Sequence, residues 1–150
     1  MKTVDELTER FRARGLKATP QRQAVFRALS GSTEHPTAEA VYATVSAEMP
    51  TISLRTVYQT LNDLASMGEL HALDLGTGAT RFDPTLEPHH HLVCVDCGRI
   101  DDVHLDAPDP VTTDGFEVTS TEVVFRGRCA SCRLPSPPSP QHQGDEHTHG

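Results

Sequence analysis

The sequence predicts an α+β fold made of an N-terminal winged helix-turn-helix domain and a small α/β domain with a three-stranded sheet that zinc holds together. Three observations support this prediction. Four amphipathic helical patterns occupy the first half of the chain, and a glycine-rich hairpin pattern follows them. All four cysteines lie in two Cys-x-x-Cys motifs, which begin at Cys94 and Cys129, within a region of strand-like patterns.

Capping signals delimit the first two helices. Apolar residues recur at helical spacing from Val4 to Phe11, and Gly15 ends that pattern. Thr19 is the predicted N-cap of the second helix. Pro20 stands at the first helical position, where the backbone N–H that proline lacks would have no partner in the helix. We therefore expect two short helices with a turn between them.

The third and fourth helices are delimited in a similar way. The third helix starts near Thr37, and Pro50 breaks the chain after it. Ser53 is the predicted N-cap of the fourth helix, which has a continuous apolar stripe and stops at Gly68.

A hairpin pattern follows the fourth helix. Its two short strands, Glu69–Leu75 and Ala79–Phe82, flank a glycine-rich turn at residues 76–78. Helices followed by a small hairpin make a winged helix-turn-helix, in which the last two helices read DNA and the hairpin is the wing.

The polar face of the fourth helix carries side chains that can contact DNA. Arginine and glutamine can bond base edges, while tyrosine and threonine can pack on thymine methyl groups or hold phosphates. These side chains are Arg55, Thr56, Tyr58, Gln59 and Asn62. A net charge of −8 argues against coating nucleic acid by bulk charge. The basic residues nevertheless cluster in the first half, at Arg10, Arg12, Arg14, Lys17, Arg22 and Arg27. An ordinary solvated helical face is the alternative interpretation.

The second half reads as a small sheet followed by a tail. The predicted strands are His91–Val95, Arg99–Leu105 and Glu117–Arg128. Two prolines make the intervening segment Asp106–Asp114 poor helix material. From Leu134 onward the sequence is of low complexity, rich in proline, serine and histidine, and we expect it to be disordered.

The cysteine spacing predicts a structural zinc site. The thiolates of Cys94, Cys97, Cys129 and Cys132 can complete a closed tetrahedral shell around one ion. Two disulfides in a secreted domain would be the alternative. The segment Met1–Arg14 is charged and lacks the apolar core of a signal peptide, and no apolar run is long enough to cross a membrane. We therefore expect a cytoplasmic protein with reduced thiols.

Several motifs, taken together, resemble the ferric uptake regulator (Fur) family of bacterial metal-dependent repressors. They occur in the family's order and spacing from about Leu7 to Cys132. The matching segments are Leu16–Arg22, His35–Ala38, Ile52–Tyr58, Arg81–Asp83, His89–Cys94, Cys97-Gly98 and Cys129–Cys132.

The resemblance implies a division of labour along the chain. It implies a DNA-binding winged helix over residues 1–83, a hinge at 84–88 and a dimerisation and metal-binding domain over 89–133, which leaves the low-complexity residues 134–150 as a disordered tail. The expected partners are a double-stranded DNA operator and a second copy of the chain, with no membrane and no small molecule except a metal ion and peroxide. Lys17 would approach the minor groove, and Tyr58 would approach the bases.

The resemblance also implies a regulatory metal between the two domains. Its ligands would be His35, Asp83, His89, His91 and Asp102. A nitrogen and oxygen set without thiolate suits Fe²⁺ or Mn²⁺ better than a closed zinc site. Aspartates, rather than glutamates, at positions 83 and 102 resemble the peroxide-responsive branch of the family. In that branch Fe²⁺-catalysed oxidation of a ligand histidine, here His35 or His89, releases DNA.

Other histidines are left out of this set. His90 alternates to the other side of its strand, and His71 and His104 match no ligand position. Thr121 stands where some family members carry a histidine for a further metal site, so no such site is predicted.

Three alternatives stay open. The protein could be an iron, manganese or zinc uptake regulator that responds to metal level without peroxide chemistry. The histidine and aspartate set could be a catalytic site such as that of a hydrolase. However, no nucleophile or general base stands out, and we expect no enzyme. The chain could also be a zinc-stabilised module that binds protein rather than DNA.

Overall fold

Each of the four helices begins at a hydroxyl residue that caps its first turn. In the computed structural model, which describes residues 1–32, 34–106, 109 and 113–133, the Oγ atom of each cap accepts a backbone N–H three residues later. The caps are Thr3, Thr19, Thr37 and Ser53. The helices are α1 (Val4–Ala13), α2 (Pro20–Leu29), α3 (Ala38–Glu48) and α4 (Leu54–Ser66). The predicted starts of the last three helices are confirmed.

The helices share one apolar core. Phe11 of α1 and Phe26 of α2 pack edge to face, with ring centroids 4.9 Å apart. Val57, Leu61 and Leu64 of α4 are buried in the same core. None of the helices in the described residues is long and apolar enough to span a membrane.

The wing is a short antiparallel hairpin of β1 (His71–Leu73) and β2 (Arg81–Asp83). Both strands are shorter than the sequence predicts. Glu69 does not enter the first strand because its backbone N–H still bonds the Leu64 carbonyl at the end of α4. Its buried carboxylate also pairs with Lys2 and Arg10, at 2.9 and 2.7 Å.

The second half contains the predicted three-stranded sheet. Its strands are β3 (His90–Cys94), β4 (Ile100–Val103) and β5 (Val124–Gly127), in the order β4-β3-β5. β3 pairs antiparallel with β4 and parallel with β5. β5 is much shorter than the predicted strand Glu117–Arg128, because the residues before Val124 are mostly exposed and lie outside the ladder.

The wing packs against this sheet. Leu73 and Leu75 form a second small core with Val93 and Ile100. Arg81 of β2 spans the junction, since its guanidinium donates to the carbonyls of His35 and Gly98. The residues that carry chemistry therefore lie where the helical half, the wing and the sheet meet. The proline-rich tail, 134–150, and most of the interior of the segment Asp106–Asp114 lie outside the described residues.

Candidate metal centres

The four cysteines converge at one end of the sheet. Their four Sγ atoms all lie within 4.8 Å of one another, and those of Cys97 and Cys129 are 3.8 Å apart. A tetrahedral shell with Zn–S bonds of about 2.3 Å places its sulfurs about 3.8 Å apart. The cysteines form no disulfide. The spacing therefore fits four thiolates around a single zinc ion.

Hydrogen bonds shift the pKa values of two of these thiols in opposite directions. Backbone N–H groups of Cys129 and Cys97 stabilise the thiolate of Cys94 and lower its pKa to about 6. Hydrogen bonds with Cys129 and Cys97 raise the pKa of Cys132 to about 12. Four adjacent thiolates repel one another, so full deprotonation requires a bound cation.

The second cluster gathers residues from five places in the chain. His35 precedes α3, Asp83 ends β2, His89 precedes β3, His91 lies in β3 and Asp102 lies in β4. One ligand atom from each lies within 4.8 Å of the others. The structure thus brings together all five residues that the family resemblance implies as regulatory ligands.

The two carboxylates stand between the three imidazoles. The Asp83 Oδ2 atom lies 2.7 Å from His89 Nε2, 3.2 Å from His91 Nε2 and 3.3 Å from His35 Nε2. The Asp102 Oδ1 atom lies 2.7 Å from His35 Nε2 and 3.1 Å from His89 Nε2. All three Nε2 atoms therefore point at a common centre.

Strand geometry explains which histidines take part. Side chains alternate along β3, so His91 faces the cluster from the register position opposite Asp102, whereas His90 faces away. The His90 Nδ1 atom instead accepts the backbone N–H of Val123. His71 is exposed and stands outside the five-residue cluster, and so does His104.

Two of the three imidazoles are oriented by a second contact. His89 Nδ1 lies 2.6 Å from the carbonyl oxygen of Glu87, and His91 Nδ1 lies 2.9 Å from Glu122 Oε1. The Nδ1 atom of His35 is buried and has no hydrogen-bond partner among the residues that the structure describes. Sequence reasoning missed Glu122 because its contact depends on how the segment before β5 docks beside β3.

Burial and hydrogen bonds shift the pKa values of Asp83, His35 and His89. Burial by itself would raise the pKa of Asp83. Hydrogen bonds from His35 and from the backbone N–H of Thr85 help to outweigh it and hold that pKa well below its usual range. Burial would lower the pKa of His35, but Asp83 and Asp102 together raise it, and the pKa of His89 is also raised. Without a metal, His35 and His89 therefore hold their protons to higher pH than free imidazoles do, and a metal ion would compete with those protons.

The donor set fits a divalent ion that prefers nitrogen and oxygen ligands. It offers three imidazole nitrogens and two carboxylate oxygens, and no sulfur. Such a set suits Fe²⁺ or Mn²⁺. A cavity of about 330 Å³, lined in part by Leu73, Leu86 and Glu122, leads from the surface to Asp83 and His91.

The predicted DNA-contacting residues of α4 differ in whether their side chains are already bonded within the protein. Arg55 and Gln59 are exposed, as is Asn62. The hydroxyl of Tyr58 donates to Glu39 of α3 at 2.7 Å, which fixes the exposed ring between the two helices. The Thr56 hydroxyl is partly committed to the helix start, since its Oγ1 atom lies 2.9 Å from the Oγ atom of the cap Ser53.

The basic residues near α2 also differ in whether their side chains make contacts within the protein. Lys17 is exposed. Arg22 is half-buried, donates to the Lys17 carbonyl and lies over the ring of Phe11, 5.7 Å from its centroid. Arg22 therefore has a structural role whether or not it also contacts DNA.

Comparisons with known proteins show what the chain is similar to as a whole. A sequence model of the ferric uptake regulator family matches residues 13–125. The peroxide-responsive repressor PerR of Staphylococcus epidermidis is 35% identical over 136 residues, which are 87% of this chain and 90% of that protein. PerR of Staphylococcus saprophyticus is 36% identical over 135 residues, covering 86% of this chain and 90% of that protein.

Solved structures show the same fold. The ferric uptake regulator Fur of Helicobacter pylori, described as having three functional metal-binding sites, superposes with a TM-score of 0.75. The identity is 23%, and the match covers 91% of this chain and 97% of that one. PerR of Streptococcus pyogenes, studied for peroxide sensing and gene regulation, gives a TM-score of 0.52 at 25% identity. That match covers 89% of this chain and 95% of the other.

Proposed function

The chain belongs to the ferric uptake regulator family, and on that premise we propose that it is a metal-dependent, DNA-binding transcriptional repressor that senses peroxide. The observation that carries the proposal is the five-residue cluster of His35, Asp83, His89, His91 and Asp102. Its donors come from both sides of the junction between the helical half and the sheet, so an ion held there would tie the two halves together.

The proposed mechanism is a hinge with two states. His35 and Asp83 belong to the DNA-binding domain, proposed as residues 1–83, and the other three ligands belong to the metal-binding domain, residues 89–133, with 84–88 as the hinge. An ion that needs all five ligands stabilises only the arrangement in which they converge. If that arrangement presents α4 of both protomers to successive major grooves, metal binding and DNA binding are coupled.

We propose that the cysteine cluster holds zinc and stabilises a homodimer. The outer face of the sheet offers an apolar surface for this purpose. Leu92 and Phe125 lie opposite each other on β3 and β5 and are 45% and 43% exposed. A second copy covering this face would remove both side chains from water.

The peroxide-sensing part of the proposal rests on the donor set and on the relatives named PerR. Bound Fe²⁺ would supply the electrons that cleave hydrogen peroxide. The net change would be the addition of one oxygen atom to the imidazole of His35 or His89, with release of water. An oxidised imidazole is a poorer ligand, so the hinge would open and DNA would be released. The cavity lined in part by Asp83, His89 and His91 would give peroxide access to these ligands.

Anaerobic loading with Fe²⁺ followed by a small excess of hydrogen peroxide tests this proposal. Peptide mass spectrometry should show a gain of one oxygen on peptides containing His35 or His89, together with loss of DNA binding. The same protein loaded with Mn²⁺ is the control and should show neither change. If the histidines stay intact and DNA binding is retained, the protein is a metal-level regulator and the peroxide proposal is wrong.

We expect the exposed polar residues of α4 to set DNA affinity. A Gln59→Ala variant that loses a base-edge contact should bind its preferred duplex more weakly by about 1–3 kcal/mol. An Arg55→Ala variant that loses a phosphate contact should lower the slope of log affinity against log salt by about one. Fluorescence anisotropy at several salt concentrations measures both effects. Arg133→Ala is the control variant, because Arg133 is an exposed basic residue that lies next to the second cysteine motif rather than on α4. Equal effects from Arg133→Ala and the α4 variants would contradict the assignment.

A further inference from the structure

Glu122 contacts the His/Asp cluster from a segment outside the sheet. Its Oε1 atom lies 2.9 Å from the Nδ1 atom of His91, on the side of the ring away from the cluster centre. Its side chain is 48% exposed and borders the cavity that leads to Asp83. No helix or strand holds Glu122 itself, so its position depends on the residues around it.

Backbone bonds fasten this segment to β3. The Val123 N–H donates to His90 Nδ1 at 2.9 Å, and the His91 N–H donates to the Val123 carbonyl at 3.1 Å. Val124 then enters the sheet opposite His91. Three consecutive residues are therefore anchored beside two consecutive histidines, and this anchoring brings the Glu122 carboxylate to the His91 ring.

The contact sets which nitrogen of His91 carries hydrogen. An ionised carboxylate can only accept a hydrogen bond, so the His91 Nδ1 atom must donate. When that ring is neutral, its Nε2 atom has a free lone pair, and Nε2 is the atom that faces Asp83. The Glu87 carbonyl does the same for His89, but as a neutral acceptor, whereas His35 Nδ1 has no acceptor in the described part of the chain.

We propose that Glu122 is a positioning residue for the His/Asp centre, which holds His91 in the ligating tautomer and ring orientation and thereby tightens binding of a divalent cation. This inference rests on the proposed metal site and goes beyond it, because it assigns a residue outside the five-ligand set. A carboxylate that accepts from the second nitrogen of a ligand imidazole also makes that imidazole a stronger donor. The affinity of the centre therefore depends on how the segment before β5 docks on β3.

Titration with Mn²⁺ tests the role of Glu122 in protein whose cysteine site is already filled with zinc. Electron paramagnetic resonance of free Mn²⁺ gives the dissociation constant. Glu122→Ala should raise it about 10- to 100-fold, the usual range for loss of an orienting contact around a metal ligand. Glu122→Gln keeps an oxygen that accepts from Nδ1 and should stay within about threefold of wild type. Glu117→Ala removes an exposed carboxylate from the same segment and should bind as wild type does.

The possible results separate this inference from the proposed function. If Glu122→Ala binds Mn²⁺ as tightly as wild type, the inference is wrong. It is also wrong if Glu122→Gln is as weak as Glu122→Ala, because charge rather than the orienting hydrogen bond would then matter. Zinc content and dimer mass, measured for every variant, show whether the fold is intact. A wild type that binds no more Mn²⁺ than His89→Ala would overturn the proposed function and this inference with it.

Discussion

A His89→Ala variant is expected to lose metal-dependent DNA binding while keeping its zinc and its dimer. His89 Nε2 lies 2.7 Å from Asp83 and 3.1 Å from Asp102, so its loss opens the centre between the two carboxylates. Mn²⁺ affinity should fall by more than the ~10- to 100-fold expected when a residue that only orients a ligand, such as Glu122, is lost. Affinity for the preferred duplex should then fall to the non-specific level, about 1,000-fold or more weaker.

The control for this prediction is His104→Ala. The His104 ring centroid lies 5.9 Å from that of His89, but the side chain is exposed and does not belong to the cluster. This variant should bind metal and DNA as wild type does. Loss of zinc or of the dimer in His89→Ala would contradict the separation between the regulatory and structural sites.

A Cys129→Ser variant is expected to unfold the sheet domain and to dissociate the dimer. The core beneath this sheet contains only a few residues, among them Val93, Ile100 and Leu75 of the wing. So small a core cannot offset the conformational entropy of ordering the sheet. Structural zinc contributes about 10–16 kcal/mol of binding free energy in small zinc domains, and much of it is lost with one thiolate.

Zinc analysis, native mass spectrometry and circular dichroism test this prediction together. The variant should contain no tightly bound zinc and should run as a monomer. It should keep its helical signal, because the core around Phe11 and Phe26 belongs to the four helices. Ser131→Ala, in the same motif, is the control and should behave as wild type does. A Cys129→Ser protein that stays dimeric and folded would show that the cysteines are not needed for the fold.

Local features of the chain could be predicted from the sequence because local contacts determine them. The caps Thr19, Thr37 and Ser53 bond backbone groups three residues away, so a short window of sequence contains the whole signal. The placement of His90 on the opposite side of β3 from His91 follows in the same way from strand geometry. Selection of His35, Asp83 and Asp102 required the family resemblance, because no local pattern connects them.

Contacts between distant parts of the chain could not be predicted. The parallel pairing of β3 with β5 joins residues more than 30 positions apart, and the bond between His91 and Glu122 depends on it. The sequence placed Arg81 in a matching segment but gave it no role. In the structure its guanidinium donates to the carbonyls of His35 and of Gly98, which follows the first cysteine motif. The bond between Tyr58 and Glu39 likewise depends on how α3 packs on α4.

The most direct test of the central claim is DNA binding as a function of Mn²⁺ concentration. A duplex would first be selected from a randomised pool with Mn²⁺-loaded protein, and its anisotropy would then be followed while Mn²⁺ is added to zinc-loaded, Mn²⁺-free protein. We predict that DNA binding rises together with occupancy of the His/Asp centre, and that His89→Ala shows no such rise. Binding that is strong without Mn²⁺, or that rises equally in His89→Ala, would contradict the proposed role of the centre.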